Sequence, residues 1–184
     1  MARDPEPTRE KLLRAGEQLA AEHSLGELRV DAITALSGVA KGTFYVHFKT
    51  RADYLVALHR RFHDRLAASI DGALARQPPG RARLLAGSLA YLDGCLAEGA
   101  LKALLLGARV EPDIQQEVAR QNARFGKLAA QDLARLHGPE PAQTGRLWVA
   151  MVAEAALAER EAGAPLPALR AALAGFLTGF ADRD

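Results

Sequence analysis

The fold is decided by Ser37-Gly38-Val39-Ala40-Lys41-Gly42-Thr43-Phe44-Tyr45-Val46-His47-Phe48-Lys49. Gly38 has no Cβ, so it can take the positive φ that a sharp helix-to-helix turn requires. Val39 then offers an apolar anchor. Phe44 and Phe48 stand four residues apart, so both can face a core from one side of a helix. Lys41, Thr43, Tyr45, His47 and Lys49 project from the rest of that helix as donors suited to phosphate oxygens and base edges. Gly42, lacking a side chain, lets backbone approach a groove closely. A short helix with an apolar underside and a donor-lined outer face reads as a recognition helix.

The flanking residues complete the unit. Val30, Ile33 and Leu36 give the preceding short helix one apolar face. It runs into Ser37-Gly38, and the next helix starts about three residues later, the spacing of a helix-turn-helix. Upstream, Leu12, Leu13, Gly16, Leu19 and Ala20 form a longer amphipathic stripe able to pack behind the pair. Downstream, Thr50-Arg51-Ala52-Asp53 reads as a capping arrangement, with Thr50 at the N-cap and an acid three residues on.

From Thr8 to about Leu58 the chain resembles the DNA-binding domain of the TetR family of bacterial transcriptional regulators. The resemblance is carried by a first helix ending near His23-Ser24-Leu25-Gly26, by Val30-x-x-Ile33, by Gly38 to Lys49, and by Asp53-x-Leu55. It covers roughly the first third of the chain; the remainder matches only in length and helical character. It implies an all-α protein: residues 1–50 a three-helix helix-turn-helix domain, residues 51–184 a helical effector-binding and dimerisation domain. It further implies that the third helix enters the major groove, with Tyr45 and Lys49 on phosphates and Lys41, Gly42, Thr43 and His47 at or near base edges. The implied function is a repressor that binds a near-palindromic double-stranded DNA operator as a homodimer and is released by a small-molecule inducer. Three residues depart from the family pattern. Arg29 stands where Thr or Ser commonly caps the second helix, Asp31 where a basic or polar residue is frequent, and Ala40 where Ser usually opens the third.

Bulk properties agree with a helical protein. The 184 residues are 49% hydrophobic and rich in Ala and Leu, which favours helix over sheet. A net charge of +2 is too small for wholesale coating of nucleic acid. Lys41, Lys49, Arg51, Arg60, Arg61 and Arg65 cluster with only Asp53 and Asp64 nearby, and the ordinary reading of Arg60, Arg61 and Arg65 is a solvated helix face. One cysteine, Cys95, excludes an internal disulfide framework and reads as a small core residue. Charged residues crowd the N-terminus where a signal peptide would be apolar, and the longest apolar run is too short to span a bilayer. A cytoplasmic protein without membrane contact is expected.

Along the chain, helices are expected over Thr8–His23, Val30–Leu36, Ala40–Val46 and Arg51–Arg76, after an arm through Pro7. Gln77-Pro78-Pro79-Gly80 is the strongest break, since Pro-Pro-Gly cannot continue a helix. Further helices end near Glu98-Gly99, run from Leu101 to Arg109, begin at Pro112 and stop at His137-Gly138-Pro139, cover Ala142–Ala162, and follow Pro165-Leu166-Pro167. The last two are apolar over more than one face, which points to a two-fold interface built from both.

Catalysis has little support: no Gly-rich phosphate loop, nucleophile elbow or zinc spacing occurs, and no cofactor is expected. His59 and His63 share the spacing of a metal pair on a helix, but no third ligand is identifiable, and two exposed histidines are commonplace. No metal is expected. Tyr91, Arg109, Gln121, Asn122, Trp148 and Glu154 are candidates to line a ligand cavity between helices. The main alternative is a small all-helical enzyme or metal-binding helical protein, built around the two histidines.

Overall fold

The computed structural model describes residues 5–21 and 25–180. Among them lie nine α-helices and no strand: α1 (Pro5–Ala20), α2 (Val30–Ser37), α3 (Lys41–His47), α4 (Arg51–Leu74), α5 (Arg81–Ala97), α6 (Gly99–Gly107), α7 (Pro112–Arg135), α8 (Pro141–Ala162) and α9 (Pro167–Thr178). A short 3-10 turn, Ala108–Val110, joins α6 to α7. The fold is all-α, as its composition implies. The expected end of the first helix at His23-Ser24 lies outside the described residues, as do residues 1–4 of the expected arm; α1 already begins at Pro5.

Local chemistry sets the boundaries. The Asp53 N–H donates to Thr50 Oγ1 and the Thr50 N–H to Asp53 Oδ2, each at 3.0 Å, so two orphan donors at the start of α4 satisfy each other. Gly80 follows the two prolines at φ 139°, a conformation that a Cβ would strain, and α5 starts from it. Proline opens both α8 and α9, where its missing N–H costs no helical hydrogen bond. Gly163, at φ 66°, closes α8 in the left-handed conformation.

The chain packs as two compact units. One comprises Met1–Phe62 with Ala100–Val118, the other His63–Gly99 with Ala119–Asp184, so α4 and α7 each contribute to both. In the first unit Leu12, Leu13, Ile33, Phe44, Tyr54 and Leu58 form a fully buried core. In the second, Leu92, Cys95, Leu133, Trp148 and Leu177 do so. There α7 and α8 approach backbone to backbone: a Cβ on Gly145 would stand 2.6 Å from the Gly126 carbonyl oxygen.

Several sequence expectations need correction. Leu36 is 49% exposed, while Thr34 takes the buried place in α2. Six residues at about 100° each carry Leu36 about 120° away from Val30, whereas four bring Thr34 nearly beneath it. Arg60, Arg61 and Arg65 are not a bare solvated face. Arg60 pairs with Glu117 at 2.9 Å, Arg61 with Glu10 and Glu17, and Arg65 with Glu98. Two arginines, Arg61 first and then Arg14, hold the Glu10 carboxyl down to about 2. His59 and His63 are buried rather than exposed. No group of three or more metal-binding side chains occurs among the described residues. None of the described helices is long and apolar enough to cross a membrane.

Candidate nucleic-acid interface and helical cavity

The turn before α3 is built as its residues require. Gly38 sits at φ 66°, and its N–H and that of Val39 both close on the Thr34 carbonyl, so α2 stops within one turn of where α3 begins. Neither Arg29 nor Ala40 makes a side-chain cap, so the two departures from the family pattern leave α2 and α3 uncapped.

What holds α3 is aromatic. Phe44 and Phe48 are buried, and their ring centroids lie 5.4 Å apart. Tyr54 of α4 completes the cluster, 5.4 Å from Phe44 and edge-on to Phe48 at 5.1 Å. Its hydroxyl, pushed above the usual phenol range by burial, donates to the Leu12 carbonyl of α1 at 2.9 Å. Gly16 lies directly beneath: a Cβ there would stand 1.9 Å from the Tyr54 hydroxyl oxygen. Two helices, α1 and α4, thereby fix the underside of α3.

The opposite side of α3 faces solvent. Lys41, Gly42, Tyr45 and Lys49 are exposed, and Thr43 and His47 are half-buried. All six predicted DNA-contact residues therefore lie on one short helix and the residue pair following it, with none in the core. Two further features were missed by sequence reasoning. Val46 is 81% exposed, an isolated aliphatic among donors, suited to a thymine methyl group. Lys41 Nζ lies 2.6 Å from Asp31 Oδ1, and that hydrogen bond, reinforced by the opposite charge, raises the lysine above its ordinary range. Asp31, one of the departures from the family pattern, is thus the partner of a candidate base-reading lysine.

Arg51, grouped by sequence with the basic cluster, points elsewhere. Its guanidinium donates to the carbonyls of Leu28 at 2.9 Å and Leu25 at 2.7 Å and reaches Glu111 at 3.2 Å. It ties the loop before α2 to the start of α4.

Residues 12–58 match the family described as bacterial regulatory proteins, tetR family. The matched segment runs from the buried leucines of α1, through the turn and α3, into α4. Over that segment, about a quarter of its length, the chain is similar to regulators of the TetR family. Solved structures share the whole fold at low identity. A transcriptional regulator from Rhodococcus sp. Rha1 has a TM-score of 0.80 at 22% identity, covering 96% of this chain and 99% of its own. A transcriptional regulator assigned to the TetR family, from Rhodococcus sp., reaches 0.77 at 21% identity, covering 94% and 97%. The multidrug binding protein EbrR, complexed with imidazole, reaches 0.76 at 20% identity, covering 93% of each chain. No curated protein matches the chain.

The second unit holds a cavity open to solvent, with about 540 Å³ of empty space when the open mouth is included. Aliphatic side chains line most of it, with Tyr91, Phe125 and Trp148 as aromatic wall. Tyr91 and Phe125 meet edge-on at 6.0 Å. Three polar side chains, Ser88, Asn122 and Asp132, reach it. Trp148 Nε1 donates to Ser88 Oγ at 2.9 Å, and that hydroxyl donates to the Leu84 carbonyl at 2.8 Å. Asp132 is buried and accepts from Arg83 Nε at 2.8 Å and from the Gly80 N–H at 2.9 Å.

Of the six ligand-binding candidates, Tyr91, Asn122 and Trp148 line this cavity. Arg109, Gln121 and Glu154 are absent from its wall; Arg109 and Glu154 are exposed, and Gln121 is half-buried. The buried acid of α8 is instead Glu159, one turn later. Arg170 binds it through Nε at 2.7 Å and holds its carboxyl below the usual range, while the Leu166 N–H donates to it at 2.9 Å. The same arginine reaches Asp93 of α5 at 2.8 Å, so one guanidinium pins the α8–α9 hairpin to α5.

Proposed function

We propose that this chain is a dimeric transcriptional regulator, a repressor that leaves its operator when a small molecule fills the cavity. The observation that carries the reading is α3 itself, its aromatic underside locked by Tyr54 and its donor-bearing outer side open. In this reading Lys41, Gly42, Thr43 and His47 meet base edges, and Tyr45 and Lys49 meet phosphates. Residues 1–50 act as the reading head and residues 51–184 as the effector and dimerisation part of a cytoplasmic protein with no catalytic role.

The occupant of the outer α8–α9 surface is a second copy of the chain. Leu147 and Phe176 are 66% and 60% exposed, beside a strip that includes Gly175 and Gly179, while Leu173 and Leu177 turn into the core. Small residues let a second hairpin approach closely, and a two-fold axis would pair each patch with its copy. Two recognition helices so related address half-sites about one helical turn, or a multiple, apart. Effector and operator then weaken each other reciprocally, by about 5–150-fold for typical coupling.

The test is binding of the purified chain to the DNA upstream of its own reading frame, compared with a scrambled duplex across a salt series. Lys49→Ala should weaken binding to both duplexes and reduce the salt slope by about one unit. Thr43→Ala should instead change which sequence is preferred. Indifference to duplex DNA at low salt would end the proposal. If binding to DNA were absent while a substrate was turned over, the helical-enzyme alternative would replace it.

A further inference from the structure

In the cavity of the second unit, the buried polar groups of the wall, Ser88, Asp132 and the Trp148 indole, are already engaged within the protein. Besides the Tyr91 phenol, its ionisable side chain is Asp132, and that carboxylate is held by Arg83 and by the Gly80 N–H. The Ser88 hydroxyl donates to Leu84 and receives the Trp148 indole N–H. Asn122 is exposed, so its amide stands at the open side. Everything else facing the space is aliphatic or aromatic. A charged molecule entering it would lose its hydration, and the one carboxylate in the wall is already paired with Arg83, so the penalty of an apolar surrounding is not offset.

We infer that this cavity takes a small, uncharged, aromatic molecule and rejects its charged analogues of the same shape. The flat faces of Phe125, Tyr91 and Trp148 supply the contacts, and Asn122 is the one polar group at the mouth able to orient a hydroxyl or carbonyl substituent. The inference rests on the regulator reading only in regarding the occupant as an effector.

Trp148 is the sole tryptophan of the chain and forms part of the wall, so its emission reports on this site alone. The experiment titrates the full chain, without DNA, with toluene, benzoate and benzylammonium, which share one ring and differ in charge. Toluene should perturb Trp148 emission and raise the melting temperature, with an affinity at least about tenfold above either ion. Asn122→Phe, at an exposed position, should narrow the mouth and weaken the toluene response several-fold without lowering the melting temperature of the free protein. If that variant is itself destabilised, Leu128→Phe provides the same obstruction from the wall. Either ion matching toluene, silence of Trp148 towards all three, or an undiminished response in the obstructed variant would overturn the inference. Toluene binding that left operator affinity unchanged would end the induction reading and leave this one standing. Operator binding by a protein that prefers an ion would do the reverse.

Discussion

The seam beneath α3 and the cavity lined by α4, α5, α7 and α8 use similar side chains to opposite ends. In the seam, Phe44, Phe48 and Tyr54 fill their space so completely that Gly16 is the largest residue that fits beneath the tyrosine hydroxyl. In the cavity, Tyr91, Phe125 and Trp148 stand around a space that no side chain of the protein fills. Tight packing suits a surface that must hold several donors at fixed spacing. Unfilled apolar volume sacrifices dispersion contacts that the fold would otherwise gain, which makes it a place where an added molecule can stabilise the native state.

The comparison breaks most readily at Tyr54. Tyr54→Ala should destabilise the protein by about 3–5 kcal/mol, through the volume removed and the Leu12 carbonyl left without its donor, read by denaturant unfolding. A cost below about 1 kcal/mol would mean that the seam is no tighter than the cavity.

A pH series tests whether the first unit is as dry as its packing suggests. Burial holds the His59 imidazole at about 4, against 6.5 for the free side chain; Glu117 opposes that shift, while Lys102 and Arg109 add to it. Between those values the unfolded chain takes up a proton that the folded chain refuses. Stability should therefore be full above pH 6.5 and fall steadily toward pH 4, with no further loss from this group below that. The total is on the order of 3 kcal/mol, and His59→Gln should flatten that part of the profile.

A matched pair of enlargements sharpens the contrast further. Gly16→Ala inserts a methyl group against Tyr54 and should cost about 1–3 kcal/mol. Ala129→Leu adds more volume, but on the cavity wall, and should stabilise the free protein by about 0.5–2 kcal/mol while weakening its response to toluene. Thermal midpoints of the two variants shifting in the same direction would erase the distinction. The smallest effect expected is from Ala40→Ser, which restores the missing N-cap of α3 and should add about 1 kcal/mol.

Features governed by neighbours in sequence were the legible ones. The left-handed Gly38, the Thr50–Asp53 box and the break at Pro78-Pro79 each depend on residues within a few positions, and all three stand as their residue types dictate. The outward donors of α3 were legible for the same reason, because two phenylalanines four apart fix which side is inward. Partners distant in sequence were not legible. Arg61 meets Glu10, Arg51 reaches the Leu25 and Leu28 carbonyls, and Arg170 meets Asp93, across separations no local pattern encodes. The cavity was half legible: Trp148, Tyr91 and Asn122 could be named as polar-tipped residues on apolar helices, yet Arg109 and Glu154 fit that description equally well and point to solvent. Periodicity tells which side of a helix is wet, but not where several helices fail to meet.

The contact between Lys41 and Asp31 bears on how this protein would sense ionic strength. A lysine arriving at a polyanion ordinarily displaces a condensed cation into bulk water, and that release is what salt opposes. Lys41 arrives with an anion covalently tethered to the same molecule. To touch the duplex it must either let go of that carboxylate or carry it along, and in both cases less is gained from the displaced cation. If α3 reads DNA as proposed, this contact would act as a brake on indiscriminate adhesion, released where a base edge offers Lys41 a better acceptor than Asp31.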